Sequence, residues 1–119
     1  MATDTLHPGD TANLTLDWET RRQPGEDLTI FAQLIGPDGK VWGQYDAPAG
    51  WTGHGTGAWL PGERVSLAWL VPLKPDAPPG QYRLLVGMYR HTAAGIERVP
   101  VRWPGGDATE YWVGEVAVK

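Results

Sequence analysis

The chain has 119 residues, 41% apolar and 20% charged, a size and balance suited to one folded domain with its own core. Cysteine is absent, which excludes disulfides, thiolate metal sites and cysteine nucleophiles. The net charge is −4 and the basic residues are scattered, with only Arg21 and Arg22 adjacent, so no basic stripe is available to neutralise the phosphates of a nucleic acid.

No apolar run approaches the ~20 residues that span a bilayer, and the polar opening carries no signal-peptide core. Direct membrane insertion is therefore not expected, and any targeting segment is expected outside this chain. The 16 glycines and 11 prolines cluster between apolar alternations, where they act as turns and divide the chain into about seven strands.

Pro8-Gly9-Asp10 leads into a strand over Ala12–Trp18, in which Leu14, Leu16 and Trp18 alternate with polar residues. The turn at Gln23-Pro24-Gly25-Glu26 opens a second strand over Leu28–Ile35. Gly36-Pro37-Asp38-Gly39-Lys40 is a hairpin signal, with a return strand over Val41–Tyr45. A long irregular stretch runs from Ala47 to Glu63 and carries Gly50, Gly53, Gly55, Gly57 and Gly62. Loops beyond ~12–15 residues are usually functional or mobile, which makes this one a candidate binding loop.

Val65–Val71 alternates again. Pro78-Pro79-Gly80 then forms a corner that feeds Gln81–Arg90, where Tyr82, Leu84, Val86 and Met88 share one face. A tyrosine directly after such a corner matches the tyrosine corner of immunoglobulin-like sandwiches. Strands over Ile96–Trp103 and Tyr111–Val118 complete the set, and no segment keeps a helical period over ten residues. The expected fold is all-β: a single antiparallel β-sandwich of about seven strands spanning residues 1–119, immunoglobulin-like or like a carbohydrate-binding module.

Several of these stretches carry a resemblance. Pro8-Gly9-Asp10-Thr11 with Leu14-Thr15-Leu16-Asp17-Trp18, then Leu34–Gly39, Trp59–Glu63, Asp76–Tyr89 and Val113–Val118, resemble bacterial β-sandwich modules at the extracytoplasmic end of membrane proteins similar to glycosyltransferases. The resemblance implies a non-catalytic recognition or spacer module, a piece of a larger envelope protein, with a polysaccharide or the rest of its own parent as partner. It supplies no catalytic residues. In that family a further strand with a pattern like L-L-G-Y commonly precedes the P-G-D turn. Only residues 1–7 precede it here, so the expectation is either that the sequence is trimmed at this end or that an edge is left open for pairing.

Catalytic chemistry finds little footing. His7, His54 and His91 have no metal-ligand spacing, Ser66 has no nucleophile elbow, and no phosphate-binding loop is present. Asp38, Asp46, Glu63 and Glu97 sit at turns or strand ends, where surface acids are normal. Asp38, Asp46 and Asp107 form no D-x-D-x-D run for calcium. No enzyme activity, metal or cofactor is expected.

Seven tryptophans remain to be explained. Trp18, Trp69 and Trp112 fall in strands as core or sheet surface, and Trp59 before Leu60-Pro61-Gly62 reads as a core plug. Tyr82, Trp18, Trp59, Trp69 and Gly80 are accordingly assigned structural roles. Trp51 in the glycine-rich loop, Trp42, Trp103 and His54 are the candidate ligand-binding residues, because exposed aromatic rings make platforms for sugars or partner surfaces. The alternative is a purely structural, immunoglobulin-like interaction module.

Overall fold

The computed structural model describes residues 5–21, 24–51 and 54–119, with the Trp51 side chain outside that description. The fold is all-β, and among the described residues the only helical element is a 3-10 turn at Thr56–Ala58. The strands are β1 (Thr5–Leu6), β2 (Thr11–Glu19), β3 (Thr29–Ile35), β4 (Val41–Pro48), β5 (Gly50–Trp51), β6 (His54–Gly55), β7 (Arg64–Pro72), β8 (Gly80–Thr92), β9 (Gly95–Val99), β10 (Val101–Trp103), β11 (Gly106–Ala108) and β12 (Tyr111–Val118).

A six-stranded sheet runs β1-β12-β8-β3-β4, with β9 also paired to β8. It is mixed rather than wholly antiparallel. Thr5 and Leu6 pair parallel to Ala117 and Val118, because the chain leaves β1 through the Pro8-Gly9 turn and crosses to β2 instead of folding back on its neighbour. The pair β2–β7 forms a separate antiparallel ribbon, in register from Thr11↔Pro72 to Glu19↔Arg64. One bridge, Gly43↔Leu73, ties the end of this ribbon to β4, so the strands curl around a shared interior.

Alternation decides what fills that interior. Leu14, Leu16, Val65, Leu67, Trp69 and Val71 from the ribbon meet Ile30, Leu34, Tyr82, Leu84, Val86, Val116 and Val118 from the large sheet. The β8 face expected from sequence (Tyr82, Leu84, Val86, Met88) is buried throughout. The opposite face of β8 is also covered in part, since Leu85 and Tyr89 pack with Phe31 in a second apolar cluster on the outer side of the sheet. Arg98 lies 4.6 Å over the Phe31 ring and closes this cluster with its planar guanidinium.

The corner before β8 is fully satisfied. The Tyr82 hydroxyl donates to the Pro78 carbonyl at 2.6 Å, and the ring has no exposed surface. Burial, and then the nearby Asp38 charge, push the Tyr82 phenol above its ordinary pKa. Gly80 takes a positive φ of 147°, and a Cβ there would stand 2.8 Å from Pro37 Cγ, so the corner and the β3–β4 hairpin close on one another only at glycine.

Two segments differ from the sequence expectation. The strand expected over Ile96–Trp103 is two strands, because Pro100 has no N–H to donate to a ladder; β9 pairs with β8, whereas β10 turns away into a hairpin with β11. The stretch 47–63 is built into the fold. It contains the β5–β6 hairpin, and the buried Thr56 hydroxyl accepts from Leu28 N–H at 2.7 Å and donates to the Glu26 carbonyl at 2.6 Å. Asp27 accepts from Gly57 N–H at 2.9 Å, and Trp59 is buried with its indole donating to the His54 carbonyl.

Candidate functional site: an aromatic groove along the edge of β2

Beside β2 runs an open groove of about 1360 Å³. Consecutive residues 15–21 line it, from both faces of the strand, and no residue of β7 does. A hollow bordered by both faces of a strand lies along its edge. The opposite wall comes from β10 and the first residues of β12, and the floor is core: Leu16, Leu28, Trp59, Met88 and Val99.

Three rings meet in the groove. Trp103 stacks on Tyr111 with centroids 5.2 Å apart and planes 8° from parallel, and Trp18 meets Trp103 edge-on at 5.5 Å. The Trp103 indole donates to the Ala108 carbonyl across the β10–β11 hairpin. Among the described residues the Trp18 indole N–H has no partner, although its atom is buried, and the buried Thr20 hydroxyl has none either. A buried unpaired donor costs free energy, on the order of 1–3 kcal/mol, so two of them, two residues apart along the chain, mark a place where polar contacts are wanting. Arg90 on the rim is held between Glu26 and Glu97, at 2.9 and 2.6 Å, and Arg102 pairs with Asp107 at 3.2 Å.

The candidate residues from sequence do not form one cluster. Trp103 is in the groove. Trp42 is near the opposite end of the ribbon, where its carbonyl accepts from Lys74 N–H and its neighbour Gly43 bridges to Leu73. Trp18 pairs with Val65, so along the ribbon backbone the two positions lie about eight residues of strand apart, roughly 25 Å. The Trp42 indole N–H is shared by the Asp38 carboxylate oxygens at 3.0 and 3.1 Å, and the Lys74 ammonium stands 6.0 Å from its ring centre. The Lys40 amide first, and the Trp42 indole after it, hold Asp38 below its ordinary pKa.

His54 sits opposite Trp51 in the β5–β6 hairpin and bonds Glu63 at 2.5 Å. Glu63 also accepts from Leu60 N–H at 3.0 Å, and that amide, followed by His54, lowers its pKa. These contacts fasten the loop to itself. The Trp51 platform falls on a side chain outside the described residues. Trp69 is buried and donates to the Tyr45 carbonyl, whereas Trp112 lies on the outer sheet face under the Arg83 guanidinium, 4.2 Å from its ring centre.

Sequence reasoning missed Tyr111 and Thr20. Thr20 had a signal: it continues the inward parity of Ala12, Leu14, Leu16 and Trp18, a polar residue where the alternation calls for an apolar one. Tyr111 had none, since its stacking on Trp103 depends on how β10 folds back.

Among the described residues no group of three or more His, Asp or Glu converges as a metal site, and no helix is long and apolar enough to cross a membrane. The chain matches no family model, and no curated protein matches it.

Proposed function

We propose that the chain is a non-catalytic recognition or spacer module of a glycosyltransferase-like envelope protein, working on its extracytoplasmic side. In this reading it is an immunoglobulin-like β-sandwich of about seven main strands. The ribbon facing the large sheet across a common core and the Tyr82–Pro78 corner bond support that architecture. The parent protein and its location rest on the resemblance carried by the turn and core motifs.

The observation that carries a recognition role is the groove beside β2, where aromatic side chains meet a charged rim and two unpaired buried polar atoms. Carbohydrate suits such a surface, because sugars present an apolar face to rings and hydroxyls to polar neighbours. Acrylamide quenching of tryptophan fluorescence against a panel of soluble glycans tests it. One glycan should protect tryptophan in the native chain and lose that effect in Trp103→Ala. Equal protection in both proteins would remove the groove as the sugar site.

A second reading, a protein-interaction module, is favoured by one specific feature. The edge of β2 away from β7 has no strand partner among the described residues.

A further inference from the structure

We infer that the groove is an acceptor for one extended strand of a partner polypeptide, which adds to β2 and widens the ribbon from two strands to three. The inference rests on the second reading above and names the occupant.

The backbone of β2 fixes which groups face the groove. Thr20 donates its N–H to Glu63 and accepts from Gly62, and Asp10 accepts from Leu73 N–H, all on the β7 side. The register between these ends runs without a shift, so Ala12, Leu14, Leu16 and Trp18 also direct their backbone groups at β7. The N–H and C=O groups of Thr11, Asn13, Thr15, Asp17 and Glu19 therefore point the other way, and Thr15, Asp17 and Glu19 line the groove. A row of alternating donors and acceptors about two residues apart is what a β-strand pairs with, and a single sugar ring does not match its length.

The surroundings define the strand's chemistry. Its inward side chains would lie on Leu16, Met88 and Val99, so they are apolar at every second position. Its outward side chains would stand beside Asp17 and Glu19. On the other side of β2 these two already have Ser66, whose hydroxyl donates to Asp17 at 2.6 Å, and Arg64, opposite Glu19. The free side asks for the same complement, lysine or arginine with a small hydroxyl residue.

The test uses the whole chain and a synthetic eight-residue peptide that alternates valine with lysine and threonine. Amide exchange read by NMR should show at least tenfold added protection at Thr15, Asp17 and Glu19, and little change at Leu16, Trp18 and Thr20. The same peptide with N-methylated backbone should give none. In a Glu19→Lys, Asp17→Lys double variant, checked for native circular dichroism, affinity should fall at least tenfold and be restored by a glutamate-for-lysine peptide. Four results would overturn the inference: no saturable binding at millimolar peptide, equal binding of the N-methylated peptide, protection without the odd-residue pattern, or indifference to the charge reversal. A glycan that protects tryptophan while the peptide does nothing would also overturn it and leave the sugar reading standing. Peptide binding without any glycan effect would separate the two the other way.

Discussion

The two long flanks of the interior are finished to different degrees. On one, β8 lies between β3 and β12, Leu84 and Val86 have no exposure, and the Tyr82 hydroxyl meets Pro78. On the other, among the described residues, β2 has a neighbour on one side only, core residues floor an open groove, and two buried polar atoms lack partners. The same alternation of apolar and polar residues built both flanks. What differs is the number of neighbouring strands, and an uncompleted edge is where a protein can bind something else.

Substitutions of equal chemistry on the two flanks would sharpen the contrast. Leu84→Ala should cost near the top of the ~2–5 kcal/mol range for such changes, because its surroundings are closed and cannot relax. Leu16→Ala, at the groove floor, should fall near the bottom of that range, since the hollow it enlarges is already open. Urea denaturation of both variants measures this, and equal losses would break the comparison.

Smaller effects concern single hydroxyls, and here the two flanks should give opposite signs. Tyr82→Phe leaves the Pro78 carbonyl without its donor and should lose about 1 kcal/mol. An unchanged melting temperature would remove the corner bond from the stability of the fold. Thr20→Val replaces a hydroxyl that has no partner among the described residues by an apolar group of similar shape, so stability should hold or rise by up to ~1 kcal/mol. A clear loss would mean that Thr20 is satisfied in solution and that the groove lacks one of its two orphan groups.

The mildest probe is pH. The Leu60 amide and His54 lower the folded pKa of Glu63, so its carboxylate adds stability that is complete above the unfolded value of 4.5. That contribution declines as pH falls below 4.5 and is gone once the folded pKa is passed. Local exchange at Leu60 N–H should therefore accelerate in mild acid, whereas Glu63→Gln should flatten the response. A pH-independent Leu60 amide would show that the Glu63 contact does not hold this loop.

Much of the architecture could be read along the chain. The period of two in 12–18, 65–71 and 81–89 placed the buried faces, and Pro-Gly turns placed the reversals, because both depend on near neighbours in sequence. The fate of single aromatic residues could not be read this way. Trp18 and Trp103 are 85 positions apart and meet only through the fold, whereas Trp42, which looked equally free, is taken up by Asp38 four residues earlier. The loop 47–63 reads as unconstrained by its glycines, yet Thr56 ties it to Glu26 and Leu28, about thirty residues earlier.

The sequence by itself determined an all-β chain, its main strands, its turns and the inward parity that carries Thr20 to the core side of β2. Pairing was decided in three dimensions. Which strands become neighbours, and so the parallel β1–β12 contact and the edge of β2 that has no strand partner among the described residues, depends on hydrogen bonds between distant segments. Local alternation fixes which way side chains point, but it leaves open which backbone edges find a partner.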